Sequence, residues 1–189
     1  MEINRNTPFS GKQAGVTLIE VLVTIVILAI GLLGLAGLQA RLQSSEMEAY
    51  QRSQALILLN DMASRVTTNR VNAAAYADGT TLGAGMTCPA STATTSERDQ
   101  TQWCQALQGT GETSGGSNVG AMIGGRGCVN DLGGGQFLIT VAWQGLTPIS
   151  APPASVACGQ NAYDGGSGCV DDLCRRVVTT IVRIANLAP

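Results

Sequence analysis

Apolar and polar positions divide the chain sharply. Residues 1–15 are polar, and Val21–Leu38 is then an unbroken uncharged run, VLVTIVILAIGLLGLAGL. As a helix this run rises about 27 Å, and Val16–Glu20 lengthen it enough to cross a ~30 Å hydrocarbon core. From Arg41 the pattern turns amphipathic. Leu42, Ala49, Ala55, Leu56, Leu59, Met62, Ala63 and Val66 recur at three- and four-residue steps, while Glu46, Glu48, Arg52, Asp61 and Arg65 fall mostly on other faces. No proline lies between Pro8 and Pro89, so one helix from about Thr17 to near Thr67 is predicted, roughly 75 Å long. Its apolar stripe is too wide, and too far from a strict heptad, for a free coiled coil.

After Asn69-Arg70 the composition shifts to Ala, Gly, Thr and Ser. Gly109–Gly135 holds eleven glycines in 27 residues and reads as loop. Two strands are legible beyond it. Gln136–Gln144 alternates, with Phe137, Ile139, Val141 and Trp143 on one face. Arg175–Ile184 is rich in Val, Ile and Thr, with Val178, Val182 and Ile184 on one face. The Pro- and Gly-rich stretch Leu146–Gly168 joins them. An antiparallel sheet of three to five strands, packed on the amphipathic half of the helix, is the natural architecture.

Charge and composition narrow the functions. Charged residues are 13% of the chain and net charge is −2. No dense basic patch appears, so nucleic acid is not an expected partner. Histidine is absent, which removes the commonest triads, histidine-bearing zinc sites and a histidine general base. No cofactor is expected. Neither a G-x-G-x-x-G after a strand nor a P-loop lysine accompanies the glycines at Gly124-Gly125-Arg126-Gly127 or Gly133–Gly135. Asp164, Asp171 and Asp172 lie near Gly165, Gly166 and Gly168. Their spacing fits no EF-hand loop, so a solvated acidic turn is favoured over a calcium site.

The six cysteines, Cys88, Cys104, Cys128, Cys158, Cys169 and Cys174, all fall in the second half without C-x-x-C spacing. They read as disulfides in an oxidising compartment, with reduced cytosolic thiols as the alternative. Six cysteines allow about 15 pairings. Cys88–Cys104 is the first choice, being close in sequence across a polar loop. Cys169–Cys174 with Cys128–Cys158 is the second, and Cys158–Cys169 is nearly as good.

Glu20 breaks the apolar segment. A carboxylate at membrane depth costs on the order of 2.5–3.5 kcal/mol at the centre and less near an edge. No Lys or Arg lies within a turn or two of it. Either it needs a partner or it stays in interfacial water. Arg5 and Lys12 against Glu2 place positive charge before the span, which favours a cytoplasmic N-terminus and an exported remainder. Ala36-Gly37 could be mistaken for a secretory cleavage site, yet the helical pattern runs straight on through Gln39 and Arg41.

Gly15-Val16-Thr17-Leu18-Ile19-Glu20, followed by the apolar run, resembles the class III signal of type IV prepilins. That resemblance implies a cut by prepilin peptidase between Gly15 and Val16 on the cytoplasmic side, then N-methylation of Val16, which stands where the family usually has Phe. Glu20 becomes the fifth residue of the mature chain, and cleavage creates an ammonium four residues away. In a staggered bundle the ammonium of one subunit can meet the Glu20 carboxylate of a neighbour, and that charge pair selects register. Ile30–Gln39 further resembles minor pilins of the PilV type. Gly31, Gly34 and Gly37 recur every third residue, either as a close-packing or loosening face or as ordinary membrane-helix glycines.

The resemblance implies an α+β, pilin-like fold, in which the long N-terminal helix packs its amphipathic half on a small, disulfide-bonded antiparallel sheet. The expected organisation is a leader 1–15, a transmembrane and assembly helix 16–40, its amphipathic continuation 41–70, and a β-rich head 71–189. The implied role is a non-enzymatic minor pilin that primes type IV pilus assembly at or near the tip. It implies the inner membrane as the first location, with the head periplasmic, and then the pilus on the cell surface. Implied partners are prepilin peptidase, other minor pilins, the major pilin and a tip adhesin. A type II secretion minor pseudopilin shares the same signal. A membrane-anchored periplasmic enzyme or ligand-binding domain is the alternative of another class.

Overall fold

The computed structural model describes residues 15–111, 113–118, 122–166 and 168–185. The expectations resting on Glu2, Arg5 and Lys12 fall outside those residues. Helix α1 spans Leu18–Thr68. A 3-10 segment follows at Arg70–Tyr76. Then come β1 (Leu82–Gly83), α2 (Thr95–Leu107), β2 (Thr113–Ser114), β3 (Ser117–Asn118), β4 (Arg126–Gly133), β5 (Gln136–Gln144) and β6 (Arg175–Arg183). The chain divides after Gln43 into two compact units. The amphipathic part of α1 therefore belongs with the head, and the apolar part stands as a unit of its own.

In the head, β1, β4, β5 and β6 form an antiparallel sheet in that order, and β2 and β3 form a separate small hairpin. Strand β5 alternates as its sequence requires. Phe137, Ile139, Val141 and Trp143 are buried in the main core with Ala55, Leu59, Met62 and Val66 of α1. Val182 joins them, and Val178 and Ile184 pack against the cluster. On the other sheet face Ala142 meets Cys128, Cys158 and Tyr163 in a second, smaller cluster. The fold is α+β and pilin-like: an apolar N-terminal helix, a small antiparallel sheet and disulfides.

Several expectations need correction. Gly109–Gly135 is not all loop, since β2, β3 and β4 lie in it. The β4–β5 connection is the two-residue turn Gly134-Gly135, with φ of +61° and +73°, a conformation that favours glycine and matches strand twist. Gly127 lies in β4 where a Cβ would run into the Trp103 ring, so the glycine that weakens the strand signal is what admits the indole. The stretch between Cys88 and Cys104 is also more than loop, because α2 starts there. Thr94 caps it with a reciprocal box: its side chain accepts from the Glu97 N–H, and Glu97 Oε2 accepts from the Thr94 N–H at 2.9 Å. On α1, Leu42, Ala49 and Leu56 are exposed, and the buried stripe is Gln51, Ala55, Leu59, Met62 and Val66.

Polar bonds tie these layers together. Trp103 Nε1 donates to Leu58 O at 2.9 Å, joining α2 to α1. Arg65 reaches Asp61 at 2.9 Å on its own helix and Asp99 of α2 at 2.8 Å. The Tyr76 hydroxyl donates to the same Asp99 carboxylate, and burial together with that bond pushes the phenol up to about 12.

Candidate assembly site

The N-terminal segment supplies the candidate site. Thr17 O accepts from the N–H groups of Glu20 and Val21 at 3.1 and 3.2 Å, which starts α1 just after Val16. Glu20 is the acidic residue of the first turn, the end of a helix dipole that favours a negative charge. Gly15 precedes the helix, and a Cβ placed there would meet no atom within 4 Å. The Gly15–Val16 peptide is thus open, with Val16 69% exposed.

Every residue from Gly15 to Met47 is exposed. In water such a surface is far larger than a soluble monomer shows, so it belongs in lipid or against other helices. The segment is long and apolar enough to cross a membrane. Gly31, Gly34 and Gly37 lie within it, and a Cβ at any of them would also meet no atom within 4 Å.

The head holds disulfides rather than reactive thiols. Bonds join Cys88 to Cys104, Cys128 to Cys158 and Cys169 to Cys174, and all six cysteines are paired. These coincide with the first and second choices from spacing. Of the three aspartates, Asp164 and Asp171 are exposed as a solvated turn requires, but Asp172 is not. Asp172 is buried and pairs with buried Arg175 at 3.1 Å. Its N–H donates to Asp164 Oδ1 at 2.9 Å, and its own Oδ1 accepts from the Asn161 N–H at 2.8 Å. Arg175 in turn donates to Val156 O and Cys158 O at 2.6 and 3.1 Å. Its guanidinium and Asp172 hold the long β5–β6 connection in place. Among the described residues, no group of three acidic, Cys or His side chains could hold a metal ion.

The spacing of the aspartates missed this buried pair, whose signal was an Asp and an Arg three apart beside cysteines. Tyr163 was missed as well. Its hydroxyl donates to Gly124 O at 2.9 Å, and Arg126 stacks 5.2 Å from its ring centre. Burial pushes the Tyr163 phenol up to about 12, although Arg126 opposes that shift.

No curated protein and no solved structure matches the chain. A sequence family described as the prokaryotic N-terminal methylation motif matches residues 10–36. The match contains Gly15, Val16 and Glu20 together with most of the exposed apolar run. Such a motif implies processing by a prepilin peptidase and assembly with other pilins in a membrane system. Residues 10–36 thus carry a type IV pilin-like prepilin signal, which supports placing the chain in the type IV pilin family.

Proposed function

We propose that the protein is a minor pilin, a structural subunit added in few copies to a type IV pilus at or near its tip. The reading rests chiefly on one observation: a helix that carries the methylation motif and whose apolar run, Val21 to Leu38, is exposed throughout. Such a helix is built to be covered by lipid first and by other subunits afterwards. Prepilin peptidase cuts between Gly15 and Val16, and Val16 is methylated. The new ammonium of one subunit then meets the Glu20 carboxylate of the next. In an apolar bundle an unmatched charge is costly, so the pair sets the axial register.

The head begins in the periplasm, where its cysteines oxidise, and ends outside the cell. Gly31, Gly34 and Gly37 give the helix a face for close approach in the filament. The remaining partners are other minor pilins, the major pilin and a tip adhesin, and the resemblance of Ile30–Gln39 points to the PilV type.

Glu20→Gln tests this directly, because it keeps the shape and removes the charge. Membrane insertion should be no worse, since an uncharged side chain enters lipid more easily. Co-purification with other pilins from membranes, at equal expression, should fall. Unchanged association and normal pilus number would mean that Glu20 is only an interfacial carboxylate. Association of the wild type with secretion pseudopilins instead would transfer the protein to that system.

A further inference from the structure

The order β1-β4-β5-β6 leaves β1 and β6 as the edges of the head sheet. They are very different edges. β1 is two residues long, and a short strand blunts an edge. β6 is nine residues, RRVVTTIVR, without Pro, Lys, Gly or a break in its register with β5. Its charges are arginines at its two ends, and between them Val177–Val182 carries no charge, proline or bulge that would blunt the edge.

The register shows which backbone groups face outward. The Ile184 N–H donates to Gly135 O, and the Gly145 N–H donates to Cys174 O. Bonded pairs alternate along an antiparallel ladder, so the even positions Arg176, Val178, Thr180 and Val182 bond to β5. The odd positions Val177, Thr179, Ile181 and Arg183 turn their N–H and C=O groups away from it. Among the described residues nothing bonds to those groups, whereas the Arg175 N–H at the strand's start donates to Asp172 O. Thr179, Ile181 and Arg183 are exposed, Ile181 at 49%.

An open row of alternating donors and acceptors fits one kind of occupant, an extended backbone added as a further strand. Charge decides whose backbone. Arg175 is paired with Asp172 and Arg176 with Glu48, at 3.1 and 3.7 Å. Arg183 has no ion partner among the described residues. The β6 of a second copy, RRVVTTIVR, has no acidic residue and would set no carboxylate opposite Arg183. We propose that the β6 edge receives an extended strand from a different protein, with a carboxylate opposite Arg183. This inference stands on the sheet alone and not on the pilin reading.

The test uses the full chain in detergent micelles and two short peptides of alternating Thr and Val, one ended by Asp and the other by Arg. Hydrogen exchange and fluorescence anisotropy give the readout. The acidic peptide should slow exchange at the amides of Val177, Thr179, Ile181 and Arg183, and the basic one should bind about tenfold more weakly. Thr179→Pro deletes an outward N–H and spares the β5 ladder. It should weaken binding by about tenfold, the equivalent of one net hydrogen bond. Arg183→Glu alters an exposed side chain and should reverse the order of the two peptides, which decides the matter even if the proline variant does not fold. Unchanged exchange with both peptides would overturn the proposal. So would protection of the four amides by self-association without peptide, or an unchanged peptide order in Arg183→Glu.

Discussion

Removing the disulfides one at a time should destabilise the head in the order of the loops they close. Cys128–Cys158 spans 30 residues of sequence, Cys88–Cys104 spans 16 and Cys169–Cys174 spans 5. The loops follow one another without nesting, so opening one leaves the others their length. The chain-entropy relation gives about 3.6, 3.1 and 2.1 kcal/mol at 25 °C in that order. With an unfolding entropy of about 2.1 cal/mol/K per residue over a head of roughly 145 residues, these become Tm losses of about 12, 10 and 7 °C. The perturbation is a double Cys→Ala change for each pair in the full chain, held in detergent without reductant. Trp103 and Trp143 are both buried in the head core, so tryptophan fluorescence follows its melting. Wild type should also show no thiol to an alkylating reagent. A Cys169/Cys174 variant that melts below the Cys128/Cys158 variant would refute the loop-entropy reasoning. It would shift the weight to local geometry around the Asp172–Arg175 pair.

Thr94→Ala should cost roughly 1 kcal/mol of head stability by removing the α2 cap, measured by the same melt. The Thr94 backbone N–H holds the Glu97 carboxyl below its ordinary value. Glu97 therefore stabilises above the ordinary carboxylate range and loses that contribution as pH falls through its folded pKa, so Glu97→Gln should flatten the acid limb of a pH–stability curve. At the alkaline end, the phenols of Tyr76 and Tyr163 are both pushed up to about 12. Their folded values lie above the unfolded value near 10, so their contribution is complete below about pH 10 and is lost as pH approaches 12. Ultraviolet titration should find both phenols still protonated at about pH 11 in the folded chain, and Tyr76→Phe with Tyr163→Phe should abolish that late step.

The parts of the fold legible in the sequence are those whose burial is periodic. Strand β5 could be read because Phe137, Ile139, Val141 and Trp143 alternate without interruption, and α1 because its apolar run is continuous. Helix α2 could not, since its first two turns are polar and its buried side chains Ser96 and Gln100 look like surface residues. Its local signal was the Thr94-x-x-Glu97 box. Strand β4 was hidden by Gly127, whose reason is the Trp103 ring arriving from another element. The stripe on α1 was read too wide: Ala55, Leu59, Met62 and Val66 are buried as expected, Leu42, Ala49 and Leu56 are exposed, and Gln51 joins the buried line with its Oε1 accepting from the Ile123 N–H at 3.4 Å. At the N-terminus the methylation motif could be read because Gly15 to Glu20 stand directly before the uncharged apolar run, and the matched motif covers residues 10–36. The aspartates misled because Asp172 faces Arg175 inside the protein, and sequence spacing alone does not separate a buried ion pair from a solvated turn.

The central claim is that this chain is processed as a prepilin. Intact-mass measurement of the membrane form, with N-terminal sequencing, tests it most directly. The account predicts a mature chain that starts at Val16, has lost 15 of its 189 residues, carries a methylated amine and contains three disulfides. Lys12 is the only lysine, so the mature form should contain none. A mature N-terminus near Gly37 would reveal an ordinary secretory signal and contradict the account.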